Sequence, residues 1–108
     1  MEQKEKEILG KMLKHISVLD EIADKTRDEF MQSAILQHAA AMAILQLGEL
    51  AKFLSKEFVA RTDFPVHQMR GMRNIAAHEY NALRFNDVWN TMRNNIPTLK
   101  KTILELLH

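Results

Sequence analysis

A chain of 108 residues is long enough for one domain that buries about 60 to 70% of its unfolded surface, and residues 1–108 leave no room for a second. The absence of cysteine excludes disulfide scaffolds, thiolate catalysis and cysteine-based zinc sites. The formal net charge of +1 does not by itself indicate a nucleic-acid binder. However, residues 51–108 carry nine Lys and Arg against five Asp and Glu, whereas residues 1–50 carry six against nine. The basic second half would suit a phosphate-bearing substrate.

The first predicted helix runs from Glu2 to Asp24, where apolar residues recur at helical spacing and Lys and Glu face away from them. Its apolar stripe consists of Ile8, Leu9, Met12, Leu13, Ile16, Leu19, Ile22 and Ala23. The charged N-terminus leads into no secretory apolar core, and no apolar run reaches the length of a membrane span. We therefore expect a cytoplasmic protein with no membrane segment.

A long second helix is predicted from Asp28 to Phe58, with Thr26 or Asp28 as its N-cap. Between Ala34 and Leu54 this helix is apolar on most of its circumference, so it must be covered on more than one side. Two explanations remain open. It is the central helix of a compact bundle, or a second copy of the chain covers its outer face.

A third helix is predicted to begin near Pro65, with Thr62 or Asp63 as its cap, and to fray between His78 and Tyr80. Because each helical residue advances about 100°, its polar and apolar residues fall on opposite sides. The polar stripe consists of His67, Gly71, Asn74 and His78, and the apolar side of Met69, Met72 and Ala76.

The last predicted helix opens at Asn86 or Asp87 and carries one continuous apolar stripe. This stripe consists of Val88, Met92, Ile96, Leu99, Ile103 and Leu106. It crosses Pro97 without losing phase, so we expect a kink at Pro97 and not a chain reversal. The predicted fold is all-α, an up-and-down four-helix bundle.

Two reactive side chains of the third helix do not share a face. Arg73 and His78 are five positions apart, which places them roughly 140° apart around an unbroken helix. If both act on one reaction, either the helix ends near His78 or a second copy brings the two residue types together across a two-fold axis. This mismatch is the first indication of a homodimer in the sequence, and an early end of the helix stays the alternative.

The residues around Arg73 and His78 match a known signature. Arg73-Asn74, three further residues and His78-Glu79-Tyr80 fit the R-x4-H-x-Y motif of the HEPN superfamily as it occurs in HepT-like toxins, and the chain resembles that family along nearly its full length. Other resembling segments are Leu47-Gly48-Glu49, Gly71-Met72-Arg73-Asn74, Asp87-Val88-Trp89 and Ile96-Pro97-Thr98-Leu99-Lys100.

The resemblance implies a metal-independent RNA endonuclease with Arg and His in a cleft between two protomers. Carried over by position, Arg73 would stabilise phosphate, His78 would move protons and Asn74 would orient either of them. The family further implies the toxin half of a toxin–antitoxin pair, with an MNT-type nucleotidyltransferase antitoxin that attaches AMP to Tyr80.

The residue types suit this chemistry without a cofactor. Arginine stays charged and its fork matches two phosphate oxygens, while histidine titrates near neutrality. His67 and His78 lie about 16 Å apart along a helix, so they cannot share a metal ion. Arg70 and Arg84 are further candidates for RNA contacts.

Simpler interpretations stay open beside the enzymatic one. Arg73 could form a structural salt bridge with Glu79 or with an acidic residue of the first helix, and Asn74 could cap or bridge helices. Tyr80 could be a packing residue. The whole chain could be a non-catalytic helical module that binds a nucleotidyltransferase or nucleotides.

Overall fold

The computed structural model describes residues 1–77 and 82–108, with side chains from residue 84 onward in the second segment. These residues form helices and no strand, which confirms the all-α class. The helices are α1 (Gln3–Ala23), α2 (Arg27–Met31), α3 (Ala34–Ala51), α4 (Lys56–Thr62), α5 (Val66–Ala77), α6 (Ala82–Asn94) and α7 (Ile96–Leu107). Seven helices among the described residues replace the four predicted, and the up-and-down bundle arrangement stays a prediction.

The core forms where the apolar faces of the long helices meet. α3 packs against α1 and α5, and α1 also contacts α6 and α7. The predicted stripe of α1 is buried, except that Leu13 and Ala23 are only partly covered. Trp89 and Phe30 stack within this core, with ring centroids 5.3 Å apart. The periodicity of apolar residues therefore identified the core correctly.

The prediction of one continuous helix from Asp28 to Phe58 is wrong, because serine side chains start new helices within it. Ser33 Oγ accepts the backbone N–H of Leu36, and Ser55 Oγ accepts that of Phe58, each at 3.1 Å. Serine offers the backbone such local bonds in place of a continuing helix. The chain is therefore divided into α2, α3 and α4. Thr26 does cap α2, as predicted, through reciprocal bonds with Glu29.

By length and composition alone α3 could cross a membrane, so the expectation that no apolar run reaches this length is wrong. A core helix meets the same criterion. Seven residues of α3 are buried within the protein, namely Ala40, Ala41, Ala43, Ile44, Leu47, Gly48 and Ala51. Ile35 and Met42 lie on its outer face and remain exposed. The sequence predicts that α3 is apolar on most sides, and within one chain only one of these sides is buried.

The start of α5 is as predicted, but its predicted cap residues belong to the preceding helix. The carbonyl of Pro65 accepts the N–H of Met69 at 3.0 Å, so α5 begins directly after this proline. Thr62 instead donates its hydroxyl to the carbonyl of Phe58 at 2.7 Å, inside α4. Asp63 ends α4 in the left-handed conformation, with φ of 55°.

The last predicted helix begins earlier than expected and is divided in two. α6 starts at Ala82, so Asn86 and Asp87 lie inside it and are not its cap. The break before α7 falls at Asn95, which keeps a right-handed helical backbone, and Pro97 occupies the first turn of α7. Proline is tolerated there because its missing N–H would have no partner in a first turn.

Candidate active site

The two faces of α5 are divided as the sequence predicts. Met69, Met72 and Ala76 are buried on the inner side. On the outer side His67, Gly71 and Asn74 are exposed. Hydrophobic burial therefore fixes the rotation of α5 about its axis and presents a polar surface outward.

Arg73 lies at the border of these faces, directly against the backbone of α3. A Cβ atom added to Gly48 would lie 2.6 Å from the Cβ of Arg73 and 3.0 Å from its Cγ. A non-bonded Cβ contact of 2.6 Å is essentially never found in proteins. Only glycine therefore permits α3 and α5 to approach this closely at Arg73.

The next residue of α3 holds the guanidinium in place. Arg73 Nε donates to Glu49 Oε1 at 2.7 Å, and Lys52 Nζ donates to both oxygens of the same carboxylate at 3.3 and 3.2 Å. A charged donor and acceptor at this distance make a strong, directional bond. Glu49 therefore orients Arg73 through one edge of its guanidinium.

The terminal Nη groups of Arg73 are the atoms that a substrate would contact. Its side chain is 33% exposed, and its terminal Nη groups form no hydrogen bond to other residues in the described segments. The hydrogen bond from Arg73, followed by that from Lys52, lowers the pKa of Glu49 below its ordinary value of 4.5. The ion pair is therefore intact at neutral pH, and because Glu49 is bound through Nε, it does not occupy the two Nη groups, which match two phosphate oxygens.

This geometry answers one of the simpler interpretations of Arg73. The residue does form a salt bridge, and its partner among the described residues is Glu49 on α3 and not an acidic residue of α1. The predicted alternative partner, Glu79, lies outside the described residues. The segment Leu47-Gly48-Glu49 was singled out in the sequence only for its resemblance to a family. The sequence did not show that this segment positions Arg73, because contacts between helices distant in the chain leave no periodic signal.

The structure shows the positions of some of the other predicted site residues and not of others. Asn74 is exposed next to Arg73 and forms no side-chain hydrogen bond with another described residue, whereas Arg70 is exposed one turn earlier. Predicted fraying between His78 and Tyr80, and the positions of these two residues relative to Arg73, lie outside the described residues. Their roles stay predictions.

Arg84 has a structural task within the protein. Its Nε and Nη2 atoms donate to the carbonyl of Ala76, Nε at 3.1 Å, in the last turn of α5. Its guanidinium also lies 4.7 Å from the centre of the Phe85 ring. Arg84 thus binds a carbonyl in the last described turn of the helix that carries Arg73.

The described residues contain no group of three or more His, Asp or Glu side chains arranged to hold a metal ion. Metal independence itself stays a prediction. Besides Glu49, the charged groups near Arg73 are cationic, since Lys52 and Arg70 line a small cavity of about 50 Å³ next to it. Such a surface favours an anionic ligand.

Comparison with known proteins identifies a family match over most of the chain. A family model described as "Ribonuclease HepT-like" matches residues 12–106. A protein of Caldanaerobacter subterraneus named "Putative RNase" is 31% identical over 81 residues, which cover 74% of this chain and 72% of that protein. No solved structure matches.

A longer relative contains a similar sequence as one part. A Methanocaldococcus jannaschii protein named "Gamma-glutamylcyclotransferase and putative RNase" is 32% identical over 101 residues. The match covers 92% of this chain but only 46% of that protein, so the chain spans about half the length of this relative. A second protein of the same organism, also named "Putative RNase", is 24% identical over 80% of both chains.

Proposed function

This chain belongs to the HepT-like ribonuclease family, and on that premise we propose that it is a metal-independent RNA endonuclease with Arg73 and His78 as catalytic residues. The observation that carries the proposal is the guanidinium of Arg73, oriented by Glu49 through Nε, while its Nη groups form no hydrogen bond with another described residue. A purely structural arginine would be expected to use its Nη groups within the protein as well.

In the proposed reaction the ribose 2′-oxygen attacks the neighbouring phosphorus. The P–O5′ bond breaks, which leaves a 2′,3′-cyclic phosphate on one product and a 5′-hydroxyl on the other. His78 takes the proton of the 2′-hydroxyl, and the imidazolium so formed gives this proton to the leaving 5′-oxygen. Arg73 stabilises the charge on the phosphoryl oxygens, and Asn74 orients the side chain of Arg73 or of His78.

We propose that the enzyme is a homodimer in which each cleft combines residues of two copies. Two observations support this. Ile35 and Met42 are 82% and 55% exposed on the outer face of α3, and burying them would be favourable. Glu49, which holds Arg73, lies on the border of this face, so a copy docked there would lie beside the catalytic arginine.

The regulatory part of the proposal rests on the sequence motif. The chain is proposed to be the toxin of a toxin–antitoxin pair in the cytoplasm, with residues 1–108 as one HEPN-like helical domain. An MNT-type nucleotidyltransferase antitoxin would attach AMP to Tyr80. The added bulk and negative charge would obstruct and neutralise a cationic cleft.

The test is cleavage of a labelled RNA by purified variants in the presence of EDTA. Arg73→Ala and His78→Ala are each expected to reduce cleavage about 100-fold or more, because each removes one transition-state contact. Arg73→Lys should also be weak, since an ammonium cannot replace the fork. His15→Ala on α1 is the matched histidine control and should cleave normally. Full cleavage by His78→Ala would refute the proposal.

The alternative is a non-catalytic helical module that binds a nucleotidyltransferase or nucleotides. The basic surface around Arg73 suits this function too. Expression of the chain alone in a bacterium separates the two. The nuclease should arrest growth, and His78→Ala should relieve the arrest, whereas a binding module should have no effect in either form.

A further inference from the structure

A groove continues the cationic surface away from Arg73, between the end of α3, α4 and the start of α5. Its volume is about 330 Å³. Ala51, Lys52, Val66 and Arg70 line both this groove and the small cavity beside Arg73, so the two form one continuous depression. We call this depression, from Arg73 to Lys56, the basic groove.

The charges of the basic groove have one sign. Lys52, Lys56 and Arg70 line it beyond Arg73, and no carboxylate of a described residue lines either of its parts. Glu49 nearby is already bound by Arg73 and Lys52. A row of cations that leads away from a phosphate-binding arginine matches a polyanion with regularly spaced charges.

The remaining wall of the basic groove is apolar. Leu54, Val59 and Val66 line the groove together with the cationic side chains. A volume of about 330 Å³ lies at the lower end of the range for sites that hold small organic molecules. A strand with phosphates along one edge and flat apolar rings along the other fits both walls.

We propose that the basic groove binds single-stranded RNA on one side of the cleaved linkage, with Lys52, Lys56 and Arg70 on backbone phosphates and a nucleobase against the apolar wall. The inference rests on the proposed ribonuclease function. It adds residues that bind substrate without touching the reacting atoms, and it assigns the charge surplus of the second half of the chain to a definite surface.

The test measures binding of a fluorescent single-stranded RNA to the cleavage-inactive His78→Ala protein at several salt concentrations. Lys56→Gln combined with Arg70→Gln carries the test, because neither side chain pairs with another described residue, whereas Lys52 also contacts Glu49. The pair should weaken binding about 10-fold at physiological salt and reduce the log–log salt slope by about 1.4, or 0.7 for each lost phosphate contact.

The matched control combines Lys14→Gln on α1 with Lys101→Gln on α7. Both lysines are exposed, and neither lines the basic groove. This control removes the same charge and should change the slope by less than half as much. Val59→Ser in the apolar wall should weaken binding about 3-fold while leaving the salt slope unchanged.

The outcomes separate this inference from the nuclease proposal. If the wild type cleaves RNA but the Lys56 and Arg70 variant binds like its control, the basic groove is refuted and the nuclease stands. If the wild type does not cleave, yet the variant shows the predicted loss of affinity and slope, the groove stands as an RNA site. Unchanged RNA binding with loss of a nucleotidyltransferase partner would assign the groove to protein binding and overturn the inference.

Discussion

At the scale of single residues, two neighbours on α3 determine what Arg73 can do. Gly48 sets how closely the helices approach, and Glu49 sets the direction of the guanidinium. These are separable effects, since one is steric and the other electrostatic. Each predicts a different consequence for substitution.

Gly48→Ala should reduce RNA cleavage about 10- to 100-fold, because the new Cβ would displace Arg73, and small displacements of a catalytic group are costly. Overpacking should cost about 1–3 kcal/mol, offset in part by the better helix propensity of alanine. Gly10→Ala is the control, because nothing lies within 4 Å of its added Cβ. It should stabilise the protein by about 0.5–1 kcal/mol and leave cleavage unchanged. Equal activity of the two variants would contradict the steric role of Gly48.

Glu49→Gln should alter the acid dependence of stability. Because the pKa of Glu49 is lowered in the folded protein, chiefly by Arg73, its contribution is complete above about pH 4.5 and is lost as the pH falls through the lowered value. The wild type should therefore lose thermal stability more steeply on acidification from about pH 5 to pH 3 than Glu49→Gln. Glu7→Gln on α1 should follow the wild type. Superimposable curves for all three proteins would exclude the ion pair in solution.

At the scale of helices, small hydroxyl side chains decide where segments begin. Thr26, Ser33 and Ser55 each accept a backbone N–H three residues later, at the starts of α2, α3 and α4. α4 matters most for function, because Lys56 and Val59 on it line the basic groove. The cap at Ser55 therefore supports part of the proposed RNA surface.

Ser55→Ala should destabilise the protein by about 1 kcal/mol, because the N–H of Phe58 loses its acceptor. Denaturant unfolding followed by circular dichroism measures the change. Glu2→Ala is a useful comparison, since Glu2 precedes α1 as its N-cap but forms no side-chain capping bond. It should alter stability by less than about 0.5 kcal/mol. A similar loss in both variants would show that the hydroxyl cap is not what stabilises α4.

At the scale of the whole molecule, the outer face of α3 bears on whether the chain functions as a monomer or as a dimer. Most of the long apolar side chains are buried, but Ile35 and Met42 remain exposed on the outer face of α3. Of the two explanations left open by the sequence, burial of one side of α3 supports the core helix, and coverage of the other side by a second copy stays a proposal. α3 is a core helix on one side and has an unoccupied apolar face on the other.

Met42→Glu should convert the proposed dimer to a monomer and abolish cleavage, because burying an unpaired carboxylate in an interface is costly. Light scattering coupled to size-exclusion chromatography measures the mass. Leu104→Glu, at another exposed apolar position on α7, should stay dimeric and active. If Met42→Glu stays dimeric and cleaves RNA, the interface does not include this face.

The sequence by itself determined the helical class, the core stripes of α1 and α7, the start of α5 after Pro65 and the motif that contains Arg73. These follow from local periodicity, proline geometry and residue chemistry, all of which are readable along the chain. The helix starts at Ser33 and Ser55 were not predicted, because the apolar run between them favoured one continuous helix.

Only the tertiary structure decided that Gly48 lies against Arg73, that Glu49 holds its guanidinium, and that Lys56 and Arg70 line one groove. The members of these pairs are 14 to 25 positions apart in the chain, and no periodic pattern links them. Their proximity depends on how α3, α4 and α5 pack, which is fixed by burial of apolar surface in the whole molecule. The roles of Gly48, Glu49, Lys56 and Arg70 therefore depend on that packing.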